Sequence, residues 1–167
     1  LVAGDDSSNL YSVNTATQAV TSRGAVTVNP IAHPVLHRDI LVMCSNDGTT
    51  APRSYVAAGT IALLSATAPA GIYPTVYKDR TVIARDSAQP QRVYFGPAGA
   101  PSGVWDTANA YIDASFPVTG LFSLRNAILV FGNGRTERIR GSTPPPNTDM
   151  VKEPLFNIGC IDARSIV

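Results

Sequence analysis

The sequence has few charged side chains and no long apolar run. Charged residues make up 15% of its 167 positions, against roughly 25% in an average soluble protein. No stretch approaches the roughly 18 apolar residues of a membrane helix, and no basic segment precedes an apolar run at the N-terminus, so neither a membrane span nor a signal peptide is predicted. Because 13 Lys and Arg balance 12 Asp and Glu, charge gives no reason to expect nucleic acid or an anionic membrane as partner. We expect another subunit, or the rest of the same chain, to cover part of the surface.

Cysteine is also scarce, which excludes two kinds of site. Cys44 and Cys160 are the two cysteines, too few for a disulfide framework or a four-ligand zinc site. His33 and His37 have the four-residue spacing of helical metal ligands, but Pro34 between them disfavours a helix. We therefore predict no metal and no cofactor, and we interpret both cysteines as buried small hydrophobic residues.

Catalytic patterns are missing as well. No Ser lies in a G-x-S-x-G turn, and no Cys has a His and an Asn in a catalytic setting. The segment Asp5-x-Ser7-x-Asn9 resembles the opening of a calcium loop, but Ala16 stands where the closing acid belongs. The chain is therefore predicted to have no catalytic residue and not to be an enzyme.

Strand patterns, in contrast, occur throughout. Helical periodicity does not persist for three turns anywhere, whereas short runs rich in Val, Ile, Thr, Tyr and Phe alternate with turn residues. Gly132-Asn133-Gly134 separates two such runs and predicts a tight hairpin, because Asn and Gly tolerate the positive φ that such turns need. The sequence predicts an all-β fold.

A repeated motif indicates how the strands are organised. Arg38-Asp39, Lys78-Asp79 and Arg125-Asn126 each precede an aliphatic run, at separations of 40 and 47 residues. A strand-only repeat of this length is typical of a β-propeller, in which each blade is a four-stranded antiparallel sheet. The alternative is a β-sandwich with similar hairpin turns.

The repeat divides the chain into approximate blades. At roughly 45 residues per blade the chain holds three to four, and closed propellers take about four to eight. We therefore expect a single propeller segment that is an incomplete part of a larger propeller. Its blades are predicted at 1–30 (partial), 31–74, 75–115, 116–157 and 158–167 (the start of the next).

Two segments resemble a known family. Arg92-Val93-Tyr94-Phe95-Gly96, with Trp105-Asp106 and then Val118 to Phe131, resembles the R-[VL]-Y-F-S, D-P-x-x-W and I-t-G-L-x-x-L-R-d-x-L-L-V-F pattern of propeller domains in tailed-bacteriophage virion proteins. Ile158 to Val167 is similar to the G-C-x-x-x-R-S-V-V segment of the same proteins. The match covers residues 75–167 well and the first half loosely, and Gly96 stands where the pattern has Ser.

The resemblance implies a structural role in a virion. Proteins with this pattern are tail hub, tail nozzle and head-to-tail connector components, so we expect a viral structural protein of the tail or head-to-tail region. The expected partners are other virion proteins and further copies of the chain in a ring or tube. The motifs identify a scaffold, and a scaffold alone does not determine an activity.

A rival function is a propeller that binds or hydrolyses a glycan on the host surface. Such a site needs carboxylates and an aromatic platform at the channel mouth. The cluster that qualifies by sequence is Trp105, Tyr111 and Asp113, and these residues are the candidate glycan or partner contacts.

Two further segments are candidate contact surfaces. Arg135, Arg138 and Arg140 alternate along one predicted strand with Arg125 nearby, which predicts a basic face. We interpret this face as exposed to solvent or as forming ion pairs at a protein interface. The alternative is transient contact with passing DNA. Pro144, Pro145 and Pro146 favour a stiff extended loop, which we expect to be a docking site for a neighbouring protein.

Overall fold

The computed structural model describes residues 2–4, 9–25, 31–57 and 59–160. In these residues every regular element is a β-strand, and the strands form four separate antiparallel sheets. This arrangement confirms the predicted all-β fold and its blade-like array of antiparallel sheets. The described residues contain no helix, and so no helix that could cross a membrane.

Each sheet is an up-and-down meander in which every strand pairs with its neighbour in sequence. The first sheet has three described strands, and the second, third and fourth sheets have four each. The first sheet contains β1 (Val2–Gly4), β2 (Asn9–Val13) and β3 (Val20–Ala25). The second sheet contains β4 (Ile31–His37), β5 (Ile40–Ser45), β6 (Arg53–Val56) and β7 (Ala62–Leu63).

The third and fourth sheets follow the same plan. The third sheet contains β8 (Tyr73–Tyr77), β9 (Arg80–Ala84), β10 (Arg92–Phe95) and β11 (Tyr111–Asp113). The fourth sheet contains β12 (Gly120–Leu124), β13 (Ala127–Gly132), β14 (Arg135–Arg140) and β15 (Val151–Phe156).

The repeated motif forms the first hairpin turn of the second, third and fourth sheets. In each case the basic residue and the Asp or Asn are the two residues between the first and second strands. Arg38, Lys78 and Asp79 have φ values of 55°, 48° and 56°, the left-handed conformation that two-residue hairpins adopt because it matches the twist of the strands. The motif therefore marks the same structural position three times.

The sheets are stacked with their first strands next to one another. Strand β8 contacts both β4 and β12, so the first strands of three successive sheets run side by side. A buried cluster joins the second and third sheets through side chains that include Val42, Cys44 and Ile83. A larger cluster joins the third and fourth sheets through Val82, Phe95, Ile128 and other residues.

The third sheet is covered on both faces, which explains the composition of its second strand. Along β9 the side chains alternate between the two faces, so that Val82 and Ala84 pack toward the fourth sheet while Ile83 packs toward the second. All three are 0% exposed. A strand with neighbours on both faces has to be apolar at successive positions.

Both cysteines lie in buried positions, as interpreted from the sequence. Cys44 is 0% exposed and belongs to the cluster between the second and third sheets, and Cys160 is 8% exposed. Burial raises the pKa of the Cys44 thiol. Because the reactive form of cysteine is the thiolate, this burial makes Cys44 a packing residue.

The stacked core predicts a large difference between two phenylalanines of neighbouring sheets. Phe95 is 2% exposed between the third and fourth sheets, whereas Phe122 on β12 is 41% exposed. We expect Phe95→Ala to lower the free energy of unfolding by about 3–5 kcal/mol, because it leaves a cavity in the core. Phe122→Ala is the matched control and, at concentrations where the chain is monomeric, is expected to cost much less. Equal losses in urea unfolding of the two variants would contradict this packing.

Candidate functional site

The first hairpin turns are linked to one another from sheet to sheet. The guanidinium of Arg38 donates two hydrogen bonds to the carboxylate of Asp79, at 2.6 and 3.1 Å. The ammonium group of Lys78 donates to Oδ1 of Asn126 at 3.3 Å. In both contacts the basic residue of one turn bonds to the Asp or Asn of the turn in the next sheet. We call this series of contacts the turn ladder.

The turn ladder has two unoccupied ends. Asp39 precedes the first rung and Arg125 follows the last one, and both side chains are exposed. Among the described residues neither side chain forms a hydrogen bond or an ion pair. By analogy with the two occupied rungs, Arg125 is placed to donate to an Asp or Asn of a further sheet, and Asp39 is placed to accept from a basic residue.

The residue just before each turn also reaches the next sheet. His37 is 3% exposed, and its ring nitrogens lie 2.8 Å from Thr81 Oγ1 and 3.1 Å from Asp79 Oδ1. Tyr77, the equivalent residue of the third sheet, is 2% exposed, and its hydroxyl donates to the carbonyl oxygen of Gly141 at 2.7 Å. The third member of this series is Leu124, which is 44% exposed.

Leu124 is part of a larger uncovered surface. Three cross-strand pairs lie at the same distance from the three turns and on the same face: Val35 with Val42, Thr75 with Val82, and Phe122 with Leu129. In the second and third sheets a neighbouring sheet covers this face, so that Val42 and Val82 are 0% exposed and Thr75 is 9% exposed.

In the fourth sheet the same face has no neighbour among the described residues. Phe122 is 41% exposed, and Leu129 and Phe131 are half-buried. We call the apolar surface made by Phe122, Leu124, Leu129 and Phe131 the open face. An apolar, partly aromatic surface beside an exposed guanidinium is suited to bind another protein.

The predicted basic face is only partly assembled. Arg138 and Arg140 lie on the open-face side of β14 and both bind Glu153, at 2.9 and 2.6 Å. Arg125 lies in the turn between β12 and β13, at the same end of the sheet as the last residue of β14. These charges border the apolar residues, so this side of the fourth sheet is apolar near its first strand and charged near its last.

Arg135 lies apart from that group. Arg135 and Arg138 are three residues apart on β14, and β14 pairs with β13 without a register shift, so strict alternation places Arg135 on the face opposite to Arg138 and Arg140. Arg135 instead lines a groove of about 290 Å³ at the outer edge of the third and fourth sheets, together with Phe116 and Lys152.

The predicted glycan cluster is not an open platform. Trp105 is 3% exposed in the core between the second and third sheets, and its indole nitrogen donates to the carbonyl oxygen of Pro101. Asp113 accepts two hydrogen bonds from Arg92, whose guanidinium lies 3.6 Å from the ring centre of Tyr111. The ring of Trp105 is thus buried in the core, and the carboxylate of Asp113 is bound by a side chain of its own sheet.

Burial of Trp105 also explains the departure at Gly96. A Cβ atom at this position would lie 2.8 Å from the Trp105 ring and 3.0 Å from the carbonyl oxygen of Thr81. Carbon atoms at van der Waals contact are roughly 3.5–4.0 Å apart. A serine, as in the phage pattern, would require the indole ring to shift.

The proline-rich segment connects β14 to β15. Pro144 is buried, Pro145 is half-buried and Pro146 is exposed, so only the tip of the segment is accessible. Asp149 closes the loop by accepting hydrogen bonds from the backbone nitrogens of Ser142 and Thr143. The segment is therefore a fixed surface projection.

The two histidines lie in different environments. His33 stacks against Tyr73 at 5.2 Å between ring centroids, whereas His37 belongs to the turn ladder. The described residues hold no group of three metal-binding side chains. Sequence reasoning considered His37 only as a metal ligand and missed its contacts with the next sheet, although its position beside the repeated motif was a usable signal.

The turn ladder predicts a specific acid sensitivity. Hydrogen bonds from Arg38 and His37 hold the pKa of Asp79 at about 2, below its ordinary value of 3.8. Because the folded-state pKa is depressed, the stabilisation is complete above about pH 4 and is lost as the pH falls toward 2. The free energy of unfolding would be measured in urea at several pH values between roughly 5 and 2. We expect Asp79→Asn to remove this part of its pH dependence.

Asp39→Asn is the matched control, since Asp39 occupies the same turn position and has no side-chain partner in the described part of the chain. This variant is expected to leave both the free energy of unfolding at neutral pH and its pH dependence unchanged. If the two variants behaved alike, the assigned role of the ladder would be wrong.

Comparisons with known proteins do not assign a family to this chain. It matches no protein-family model and no curated protein. Its function therefore has to be inferred from the contacts and surfaces described above.

Proposed function

We propose that this chain is a structural component of a bacteriophage virion, in the tail or the head-to-tail region, that acts through assembly and protein–protein contacts. The open face carries this proposal. It consists of four apolar side chains next to the guanidinium of Arg125, which is unpaired among the described residues, on the surface where the second and third sheets are each covered by a neighbour. The placement in a phage particle rests on the resemblance of residues 75–167 to virion propeller domains.

The chemistry of the surface supports assembly over substrate binding. A surface that binds another protein is apolar at its centre and polar at its rim. The open face follows this pattern, because Arg138, Arg140 and Glu153 border its apolar residues. Low overall charge also fits a domain that is covered by neighbours.

The rival glycan function has less support. A sugar-binding site needs an accessible aromatic ring and carboxylates that point into it. The ring of Trp105 is buried, and the carboxylate of Asp113 is bound by Arg92. No observation on the described residues favours a glycan over a protein as ligand.

Localisation by electron microscopy tests the proposal. An antibody raised against residues 1–167 and detected with gold should label native particles at one end of the tail or at the vertex where head and tail join. The label should be abolished when the antibody is first adsorbed with the purified chain. Label restricted to cells or medium and missing from particles would overturn the virion assignment, and glycan binding would then be measured on the purified protein.

A further inference from the structure

In the described ranges the array ends in the first and the fourth sheet, and each of these has a side that no other described sheet covers. At one end is the open face of the fourth sheet. At the other end is the first sheet, whose Thr21 and Arg23 line a groove shared with Tyr55 and Ala57 of the second sheet. Val20 lies on the opposite face because neighbouring residues of a strand alternate, and it is 63% exposed.

From these two surfaces we infer that a second copy of this chain covers the open face, by stacking its first sheet on the fourth sheet. The inference rests on the proposed role in assembly and names the partner and the surface. The contact is head-to-tail, since it joins different surfaces of the two copies, and such contacts generate rings when the rotation closes.

Continuity with the existing interfaces supports this partner. Within one chain, the second sheet stacks on the third and the third stacks on the fourth, each time through the same row of residues beside the first hairpin turn. The open face presents that row again, now formed by Phe122, Leu124 and Leu129. A further sheet in the same relative position would bury it in the same way.

The two end surfaces are also chemically compatible. The outer side of the first sheet contributes the exposed side chain of Val20, which offers aliphatic surface to the aromatic ring of Phe122. Arg125 stands at the margin of the open face as a donor for a carboxylate or amide of the docked copy. Apolar burial provides the association energy, and the charged margin fixes the orientation.

Sedimentation velocity of the full chain over a range of concentrations tests the inference. The wild type is expected to form a defined oligomer. Phe122→Glu and Leu124→Glu place a charge in the middle of the contact, and we expect each to raise the dissociation constant by at least about tenfold. Because both side chains are more than 40% exposed in one copy, circular dichroism should show that each variant remains folded.

Val104→Glu is the matched control. Val104 is also a large apolar side chain and is 80% exposed, but it lies in the loop between β10 and β11 of the third sheet, away from the open face. This variant should assemble as the wild type does. A wild type that is monomeric at every concentration, or an oligomer that Phe122→Glu and Leu124→Glu leave intact, would overturn the inference.

Failure of this inference and failure of the proposed function can be told apart. If the chain were monomeric but the antibody labelled the particle, the second copy would be refuted as partner and the virion role would stand. If the chain formed an oligomer through the open face but the antibody labelled no particle, the virion role would be refuted and the interface would stand.

Discussion

The structure depends on one constraint: a β-sheet that is apolar on both faces needs a neighbour on both faces. The third sheet meets this constraint because the second and fourth sheets enclose it, and its residues Val82 and Ile83 are 0% exposed on opposite faces. The same alternation continues in the fourth sheet, where Ile128 and Val130 are buried and Leu129 and Phe131 are half-open. The open face is therefore the surface on which the proposed assembly depends.

The turn ladder gives the stacking its register. Apolar contact between two sheets is non-directional, whereas the two hydrogen bonds from Arg38 to Asp79 fix both the separation and the orientation of adjacent turns. His37 reinforces this alignment from a buried position. Because the basic residue donates to the following sheet in both contacts, the array has a direction, and among the described residues Asp39 is left as an acceptor and Arg125 as a donor without a side-chain partner. A directional array is suited to build rings or tubes by repetition.

Local patterns were enough to predict the class of fold. Short β-branched runs between turn residues predicted an all-β chain, and the spacing of the basic–Asp/Asn motif predicted repeated antiparallel sheets. The contacts between sheets could not be read in this way, because they join residues about 40 positions apart, such as His37 and Thr81. The separation of Arg135 from Arg138 and Arg140, in contrast, follows from the alternation along β14, because an odd number of positions separates Arg135 from Arg138. Burial of Trp105 follows from its packing against Gly96, which only the folded arrangement reveals.

A double-mutant cycle between Arg38 and Asp79 tests most directly whether the turns hold successive sheets together. The free energy of unfolding would be measured for the wild type, Arg38→Gln, Asp79→Asn and the double variant at neutral pH. If the ladder couples the two sheets, each single change destabilises the protein and the double variant loses less than the sum of the two. Strictly additive losses would show that the two side chains contribute independently, and they would contradict the account of how the sheets are aligned.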